Sequence, residues 1–250
     1  MSSATSKAKP QGVTAAAYGV QFAPTTIVID RAGNVRAAGI RLDRTVFYPT
    51  GGGQPGDTGR LLRADGSSVA IADTRKSRET GEILHVPAPG QPAVAPGEEL
   101  RAEIDWARRH RHMRMHTALH VLCAVVPYGV TGGQVGDLRS RLDFDIGEGS
   151  LEREPIQARL NELVASGKPA SARWISDEEL AATPELVRTM SVKPPTGHGR
   201  VRLIEIAGVD LQPCGGTHVA SLAEIGPLAV EKIESKGKRN RRVVVALAAP

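Results

Sequence analysis

The stretch Asp105–Val126 reads DWARRHRHMRMHTALHVLCAVV, and the character of the chain changes where it begins. Asp105 offers a side-chain oxygen to the free backbone N–H groups of a first helical turn, so we expect it to cap a helix. The helix is predicted to run from Trp106 to about Val126. It separates a β-rich first part of the chain from a second part in which helices and strands mix.

The chain before this helix has the pattern of β structure. Short apolar runs flank turn signals such as Ala-Gly-Asn and Ala-Asp-Gly-Ser, which is typical of hairpins. The predicted strands are Thr26–Asp30, Val35–Gly39, Gly59–Leu62 and Val69–Ala72. The Pro-rich stretch Pro87–Pro96 is expected to be a loop. We therefore predict a disordered tail over residues 1–20 and a small β-barrel or sandwich over 21–104.

The chain after residue 105 has a mixed pattern. The segment Leu151–Ser166 has apolar residues at helical spacing, and Gly167 after it is a typical helix stop signal. Ser176 and Glu179 form a capping-box pattern ahead of a short helix. The predicted elements are a strand at Ser140–Ile146, a helix at Leu151–Ser166, a strand at Val201–Ile206 and a hairpin of Leu228–Glu234 with Val243–Leu247. Residues 105–250 are accordingly predicted to form an α+β domain.

Composition restricts the class of protein. With 40% hydrophobic and 24% charged residues, the chain is typical of soluble globular proteins. No apolar run approaches the roughly 20 residues that span a membrane, and the polar N-terminus does not resemble a signal peptide. We therefore expect a cytoplasmic protein with no membrane partner. A formal net charge of +5 suits a polyanionic partner such as nucleic acid, although charge alone is weak evidence.

Two short motifs carry ligands that zinc prefers. His116 and His120 are four residues apart on the predicted helix, so both imidazoles can reach one ion. In Pro213-Cys214-Gly-Gly-Thr-His218, the glycines let the backbone turn closely around a metal. Each motif alone is compatible with ordinary core or loop residues. Together they supply one sulfur and three nitrogens, and we predict one Zn²⁺ per chain at His116, His120, Cys214 and His218.

Cys123 is the alternative thiolate ligand. It follows His120 by three residues and lies on roughly the same helix face. However, three ligands from one continuous helix would crowd one side of a tetrahedral ion. The apolar neighbours of Cys123 favour a buried structural cysteine, and a disulfide with Cys214 is not expected in a reducing cytosol.

A glycine-rich loop, Gly51-Gly-Gly-Gln54-Pro-Gly56, follows a predicted strand at Thr45–Tyr48. It matches the dinucleotide-binding fingerprint literally, but Pro55 and the residues after it do not look like a helix start. The exposed N–H groups of the loop are suited to holding a carboxylate, phosphate or hydroxyl. A plain multi-glycine turn is the competing interpretation.

Basic residues cluster at two places. One cluster lies near the start of the predicted helix, at Arg108, Arg109, Arg111 and Arg114. The other lies at the tip of the last predicted hairpin, at Lys236, Lys238, Arg239, Arg241 and Arg242. The tip is predicted to contact RNA phosphates, with a solvated hairpin turn as the alternative. No aromatic residue interleaves with it, so base stacking is not expected there.

In combination these motifs resemble the free-standing alanyl-tRNA editing proteins (AlaX type), which are similar to the editing domain of alanyl-tRNA synthetase. The resemblance rests on Phe47–Gly59 (FYPTGGGQPGDTG), the His116/His120 pair, Cys214-Gly-Gly-Thr-His218 and Ser235-Lys-Gly-Lys238, in the family's order. It implies an N-terminal β-barrel followed by an α+β zinc-containing editing domain like that of threonyl- and alanyl-tRNA synthetases. Arg239 departs from the family pattern, which often has glycine there.

The resemblance also implies an activity: an aminoacyl-tRNA deacylase that removes serine from tRNA(Ala), with glycine as a second candidate, while sparing alanine. Gln134 resembles the family's polar pocket residue and is predicted to be catalytic. Substrate-binding residues are predicted at Gly51, Gly52, Gly53, Gln54, Thr117 and Thr217. The partner is expected to be the acceptor end of tRNA(Ala), with no obligate protein partner.

The sequence leaves several alternatives open. Zinc could activate water or polarise the ester carbonyl, or it could only hold the substrate while a ribose hydroxyl assists. Four protein ligands argue against a simple metal hydroxide unless one ligand dissociates. The rival functions are a deacylase of seryl-tRNA(Thr), a zinc hydrolase of a small metabolite and a non-catalytic RNA-binding module stabilised by zinc.

Overall fold

The fold was analysed in a computed structural model that describes residues 18–19, 26–29, 35–189, 197 and 199–248. Most of the predicted tail, residues 1–17, lies outside the described residues. Within the described part, helices and strands mix in an α+β arrangement, as the sequence predicts. None of the described helices is long and apolar enough to cross a membrane.

Among the described residues before Asp105, the regular elements are all strands. In chain order they are β1 (Tyr18–Gly19), β2 (Thr26–Ile29), β3 (Val35–Gly39), β4 (Gly59–Leu62), β5 (Ser68–Lys76), β6 (Ile83–Pro87) and β7 (Glu99–Ile104). The remainder follows as α1 (Trp106–Val125), β8 (Gly129–Gln134), β9 (Arg139–Asp145), α2 (Arg153–Ala165), β10 (Ala170–Ile175), α3 (Asp177–Ala182), β11 (Val201–Ile206), β12 (Asp210–Pro213), β13 (Leu228–Ser235) and β14 (Asn240–Leu247).

The N-terminal strands form an open sheet. Its order is β1-β7-β4-β5-β6, and β2 pairs with β3 in a separate hairpin. The two are joined by an isolated bridge between Ile40 and His85. A small core that includes Phe47, Leu61 and Leu100 packs on this sheet. The predicted β-barrel is therefore not seen among the described residues, because no described strand pairs β6 with β1 to close the sheet.

The segment Thr45–Tyr48 was expected to be a strand, and that prediction is wrong. Its backbone bonds locally instead: the Phe47 N–H donates to Thr45 Oγ1 (3.0 Å), and the Tyr48 N–H donates to Asp57 Oδ2 (2.7 Å). Side-chain oxygens thus take donors that a neighbouring strand would otherwise pair. The segment leads into the glycine-rich loop without sheet pairing.

Helix α1 has the predicted bounds to within one residue. The Asp105 side chain accepts a hydrogen bond from the Arg108 N–H, which makes it the N-cap. The helix ends at Val125, and Val126 and Pro127 follow. A proline disfavours the helical conformation of the residue before it, which explains why α1 does not continue through Val126. The C-terminal half of α1 is buried, with Met115 and Leu122 fully covered. Burial of this half places His116 and His120 inside the molecule.

Two further sheets enclose α1. The sheet β13-β14-β9-β8 packs its apolar face, including Phe144, against α1 and α2 in the main core. The sheet β10-β11-β12 is antiparallel, and Cys214 directly follows the last residue of β12, Pro213. The hairpin predicted around the basic turn is formed by β13 and β14.

Candidate metal centre

The two predicted motifs meet in space. One ligand atom from each of His116, His120, Cys214 and His218 lies within 4.8 Å of the others. Helix α1 brings the two histidines onto one face, with ring centroids 5.6 Å apart. The turn after β12 brings Cys214 and His218 to that face. The cluster thus brings together residues that are far apart in the chain, since 98 positions separate His116 from Cys214.

Distances within the cluster fit a tetrahedral zinc ion. Cys214 Sγ lies 3.5 Å from His116 Nε2 and 3.2 Å from His218 Nε2. Zinc bonds of about 2.3 Å to sulfur and about 2.0–2.1 Å to nitrogen, at the tetrahedral angle, separate the two ligand atoms by about 3.6 Å. One thiolate with three imidazoles is also a donor set that zinc prefers. The residues present therefore fit the ion.

Each imidazole is oriented by an oxygen on its far side. His116 Nδ1 lies 2.8 Å from Gln54 Oε1, His120 Nδ1 lies 2.8 Å from Asp210 Oδ2, and His218 Nδ1 lies 3.2 Å from Thr117 Oγ1. The Thr117 hydroxyl donates its only proton to Met113 O (2.8 Å), so it accepts from His218. All three rings are thereby held with Nδ1 protonated and Nε2 directed at the cluster.

Asp210 belongs to the candidate centre through its contact with His120, and the sequence reasoning did not select it. It begins β12, four residues before Cys214, and its carboxylate also accepts from Gln212 Nε2 at 2.8 Å. An ionised carboxylate can only accept, so His120 must donate to it from Nδ1. A carboxylate just ahead of the Cys-Gly-Gly-Thr-His motif was the available sequence signal.

The two cysteines differ in ionisation. Burial alone would raise the pKa of the Cys214 thiol, but the adjacent His116, His120 and His218 side chains lower it far below its ordinary value. Burial raises the pKa of Cys123 to about 12. Metal ligation needs the thiolate, which favours Cys214 over Cys123.

The pKa values of His218 and His120 are shifted in opposite directions. Burial and the neighbouring His116 lower the pKa of His218 to about 3, which keeps its imidazole neutral. Burial opposes protonation of His120 as well, but its hydrogen bonds to Asp210 and Cys214 raise its pKa to about 9. A positive charge is therefore favoured where His120 and Asp210 meet Cys214, and bound zinc would supply it instead of a proton.

A cavity of about 440 Å³ opens beside the cluster. Its wall includes His116, His120 and Cys214. The other polar groups on the wall come from both parts of the chain and are Tyr48, Thr50, Lys76, Gln134, Thr189 and Gln212. The apolar part of the wall is formed by Leu119, Cys123, Val130, Val135 and Leu142. A mostly apolar cavity with a few polar groups is typical of a ligand-binding site.

The glycine-rich loop forms one side of the cavity through Gly51, Gly52 and Gly53. Gly53 O accepts from the Val135 N–H at 2.8 Å, which attaches the loop to the strand that carries Gln134. Gly53 has φ 79°, and an added Cβ would lie 2.9 Å from Gly133 O. Only glycine permits both this conformation and this close approach.

The predicted pocket residues fall into two groups. Gly51, Gly52, Gly53 and Gln134 line the cavity, and Gln134 is exposed with its Oε1 3.3 Å from Arg141 Nε. Gln54, Thr117 and Thr217 instead make hydrogen bonds behind the cluster, where Gln54 Nε2 donates to Thr217 Oγ1 at 2.8 Å. These three were predicted to contact substrate, and the structure places them against metal-site residues.

The basic hairpin tip is partly neutralised by acids of the same sheet. Arg242 bonds Asp143 through two nitrogens (2.7 and 2.9 Å), and Arg239 bonds Asp145 (3.1 Å). Lys236 lies 3.4 Å from Glu234. Lys238 and Arg239 remain exposed. The tip is thus anchored at its base by Arg242 while its end presents cations to solvent.

The arginines near the start of α1 bond to other parts of the protein. Arg109 forms a buried ion pair with Asp57, and Arg108 donates to Gly56 O (2.6 Å). Arg111 bonds Asp137 (2.8 Å) and Arg114 donates to Ile225 O (2.6 Å). This second cluster therefore joins elements of the protein, which explains its density without nucleic acid.

Part of the chain is similar to a domain of threonyl- and alanyl-tRNA synthetases. Residues 201–244 match the family described as "Threonyl and Alanyl tRNA synthetase second additional domain", and this match contains Cys214 and His218. Residues 13–108, which include the glycine-rich loop, match "tRNA synthetases class II (A)".

The chain belongs to the family of alanyl-tRNA editing proteins. It is 36% identical over 216 residues to the alanyl-tRNA editing protein AlaX-M of Methanosarcina acetivorans, an alignment that covers 82% of this chain and 87% of that protein. It is 35% identical over 207 residues to AlaX-M of Saccharolobus solfataricus, covering 81% and 86%. The alanine–tRNA ligase of Metallosphaera sedula is 34% identical over 209 residues, which cover 77% of this chain but 22% of the ligase.

Proposed function

We propose that this protein hydrolyses the ester bond of seryl-tRNA(Ala), with glycyl-tRNA(Ala) as a weaker substrate, and leaves alanyl-tRNA(Ala) intact. As a member of the alanyl-tRNA editing family it is an aminoacyl-tRNA deacylase, and the choice of amino acid is the further step proposed here. The observation that carries the proposal is the cavity of about 440 Å³ with the His/Cys cluster in its wall. The cytoplasm is the proposed compartment, because the proposed substrate is an aminoacyl-tRNA.

Zinc is the proposed cofactor, held by His116, His120, Cys214 and His218. When bound there it would supply a positive charge that polarises the ester or holds a polar group of the substrate. Gln54, Asp210 and Thr117 keep the three imidazoles facing that position. The glycine-rich loop forms one side of the cavity through Gly51, Gly52 and Gly53.

Discrimination between serine and alanine is proposed to come from polar groups in the cavity wall. Gln134 is the leading candidate because its amide stands at the end of β8 on the rim. A site that hydrogen-bonds the serine hydroxyl rejects alanine, since alanine leaves those polar groups unpaired. Glycine has no hydroxyl to bond, which makes glycyl-tRNA(Ala) the weaker substrate.

The acceptor end of the tRNA is proposed to approach across the rim that carries Lys76. This exposed lysine lines the mouth of the cavity and suits contact with a terminal phosphate. The hairpin tip, with Lys236, Lys238, Arg239 and Arg241, is the proposed contact for the more distant tRNA backbone. Arg242 supports the tip through Asp143.

The proposal is tested by deacylation of a tRNA panel with the zinc-loaded protein. Seryl-tRNA(Ala) and glycyl-tRNA(Ala) are compared with seryl-tRNA(Thr) at several salt concentrations. We expect fastest release from seryl-tRNA(Ala) and a rate that falls steeply with salt, because phosphate contacts release counterions. Faster release from seryl-tRNA(Thr) would move the assignment to threonine editing. Tight tRNA binding without release would indicate a non-catalytic RNA-binding module.

A further inference from the structure

Gln54 connects the N-terminal part of the chain to the candidate metal centre. It follows the three glycines of the loop and is fully buried. Its backbone closes the loop, because the Gln54 N–H donates to Gly51 O (2.9 Å) and the Gly51 N–H donates to Gln54 O (3.1 Å). A buried polar side chain must find partners within the protein.

The amide of Gln54 finds those partners at both metal-binding motifs. Its Oε1 accepts from the Thr217 N–H (3.1 Å) and faces His116 Nδ1 (2.8 Å), while its Nε2 donates to Thr217 Oγ1 (2.8 Å). A backbone N–H can only donate, so the atom it bonds is the amide oxygen. His116 must then donate from Nδ1, which leaves its Nε2 free for an ion.

Gly216 leaves the space that this arrangement needs. A Cβ added at Gly216 would lie 2.1 Å from His116 Cε1 and 3.1 Å from Gln54 Oε1. Any larger residue would displace the imidazole from the amide. The second glycine of the Cys-Gly-Gly-Thr-His motif is therefore explained by contact between His116 and Gln54.

We propose that Gln54 is a positioning residue of the metal centre, through which the N-terminal sheet and its glycine-rich loop complete the zinc site. The amide fixes the tautomer of His116 and holds the Thr217 segment that joins Cys214 to His218. This inference rests on the zinc assigned under the proposed function. It adds that zinc affinity depends on a residue 62 positions before the nearest ligand.

The test measures zinc affinity by competition with a chromophoric chelator. Gln54→Met removes the hydrogen bonds and roughly conserves volume, whereas Gln54→Glu keeps an acceptor for His116. We expect Gln54→Met to bind zinc roughly 10- to 100-fold more weakly, as for other lost partners of metal ligands, and Gln54→Glu to stay close to the parent protein. Gln157→Met is the matched control, since Gln157 Oε1 accepts from the Val230 N–H (3.0 Å) in another part of the core.

Cobalt substitution gives a second readout, because its visible spectrum reports ligand geometry. Gln54→Met is expected to alter the cobalt spectrum, and Gln157→Met is not. Parental affinity and spectrum in Gln54→Met would overturn the inference. If Gln54→Met does not fold, Gln54→Ala replaces it: weaker zinc binding in Gln54→Ala than in Gln54→Glu supports the inference, and parental affinity in both overturns it. A parent protein that binds no zinc would instead refute the metal of the proposed function.

Discussion

At the scale of single residues, the environment of each cysteine decides its chemistry. Cys214 lies among three imidazoles that lower its pKa, whereas burial raises the pKa of Cys123 to about 12. Sequence reasoning favoured Cys214 on crowding and apolar neighbours, and the structure adds an electrostatic reason for that choice.

The first prediction concerns these two cysteines. Cys214→Ala is expected to lose bound zinc, because it removes the only thiolate of the cluster, while Cys123→Ala keeps one zinc per chain. Elemental analysis of the purified variants measures the metal directly. Zinc retained in Cys214→Ala and lost in Cys123→Ala would reverse the assignment of the ligand.

Gln134 gives the second prediction at this scale. Gln134→Ala is expected to slow release of serine from seryl-tRNA(Ala) by about tenfold, the effect of losing one hydrogen bond to substrate. Its zinc content is expected to stay unchanged, since Gln134 lies on the rim and bonds Arg141. Serine release at the parental rate would show that Gln134 does not contribute to substrate binding.

The four residues of the candidate metal centre could be predicted from sequence, but their hydrogen-bond partners could not. A His pair at helical spacing and a Cys/His loop have local signatures. Gln54 and Asp210 are defined as partners only by the packing of distant segments, since Gln54 meets His116 across 62 positions and Asp210 meets His120 across 90. Thr117 looked like a pocket residue because it adjoins a ligand, yet its hydroxyl points to His218.

At the scale of elements, strong local signals gave reliable bounds. The Asp105 cap and the Ser176/Glu179 capping box are both formed, and they begin α1 and α3 where the sequence predicted. The segment Thr45–Tyr48 failed because apolar composition cannot reveal the hydrogen bonds that Thr45 and Asp57 make to its backbone. Closure of the N-terminal sheet also depends on long-range pairing that no local pattern encodes.

The hairpin β13–β14 carries the third prediction. Neutralising Lys236, Lys238, Arg239 and Arg241 together is expected to weaken tRNA binding and to reduce its salt slope by roughly one per lost phosphate contact. Arg242 is left unchanged because its ion pair with Asp143 supports the hairpin. Binding is measured by titration at several salt concentrations. If the variant has the same tRNA affinity and salt slope as the parent, the tip is a solvated turn that does not contact tRNA.

At the scale of the whole molecule, the two parts of the chain are joined close to the site. Arg109 on α1 pairs with Asp57 behind the glycine-rich loop, and the side chains are 13% and 1% exposed. Asp57 also accepts from the Tyr48 N–H (2.7 Å), and Arg109 donates to Val46 O (2.9 Å). The pair thus fixes the loop against the helix that carries His116 and His120.

Loss of this pair is the fourth prediction. Arg109→Met leaves the Asp57 carboxylate buried without its cation, and we expect the free energy of unfolding to fall by roughly 3 kcal/mol. Urea denaturation measures the change. Arg60→Met is the control, since the Arg60–Glu103 pair is exposed and its loss is expected to cost less than about 1 kcal/mol. Equal effects of the two substitutions would show that Arg109 does not fix the junction.

The most direct test of the central claim, editing by selection for serine, compares serine and alanine release from the same tRNA(Ala). Both aminoacyl-tRNAs are incubated with zinc-loaded protein, and the released amino acid is followed over time. A site that bonds the serine hydroxyl predicts rapid loss of serine with alanine largely retained. Equal rates would contradict the claim by indicating a nonspecific esterase, and retention of serine would contradict editing itself.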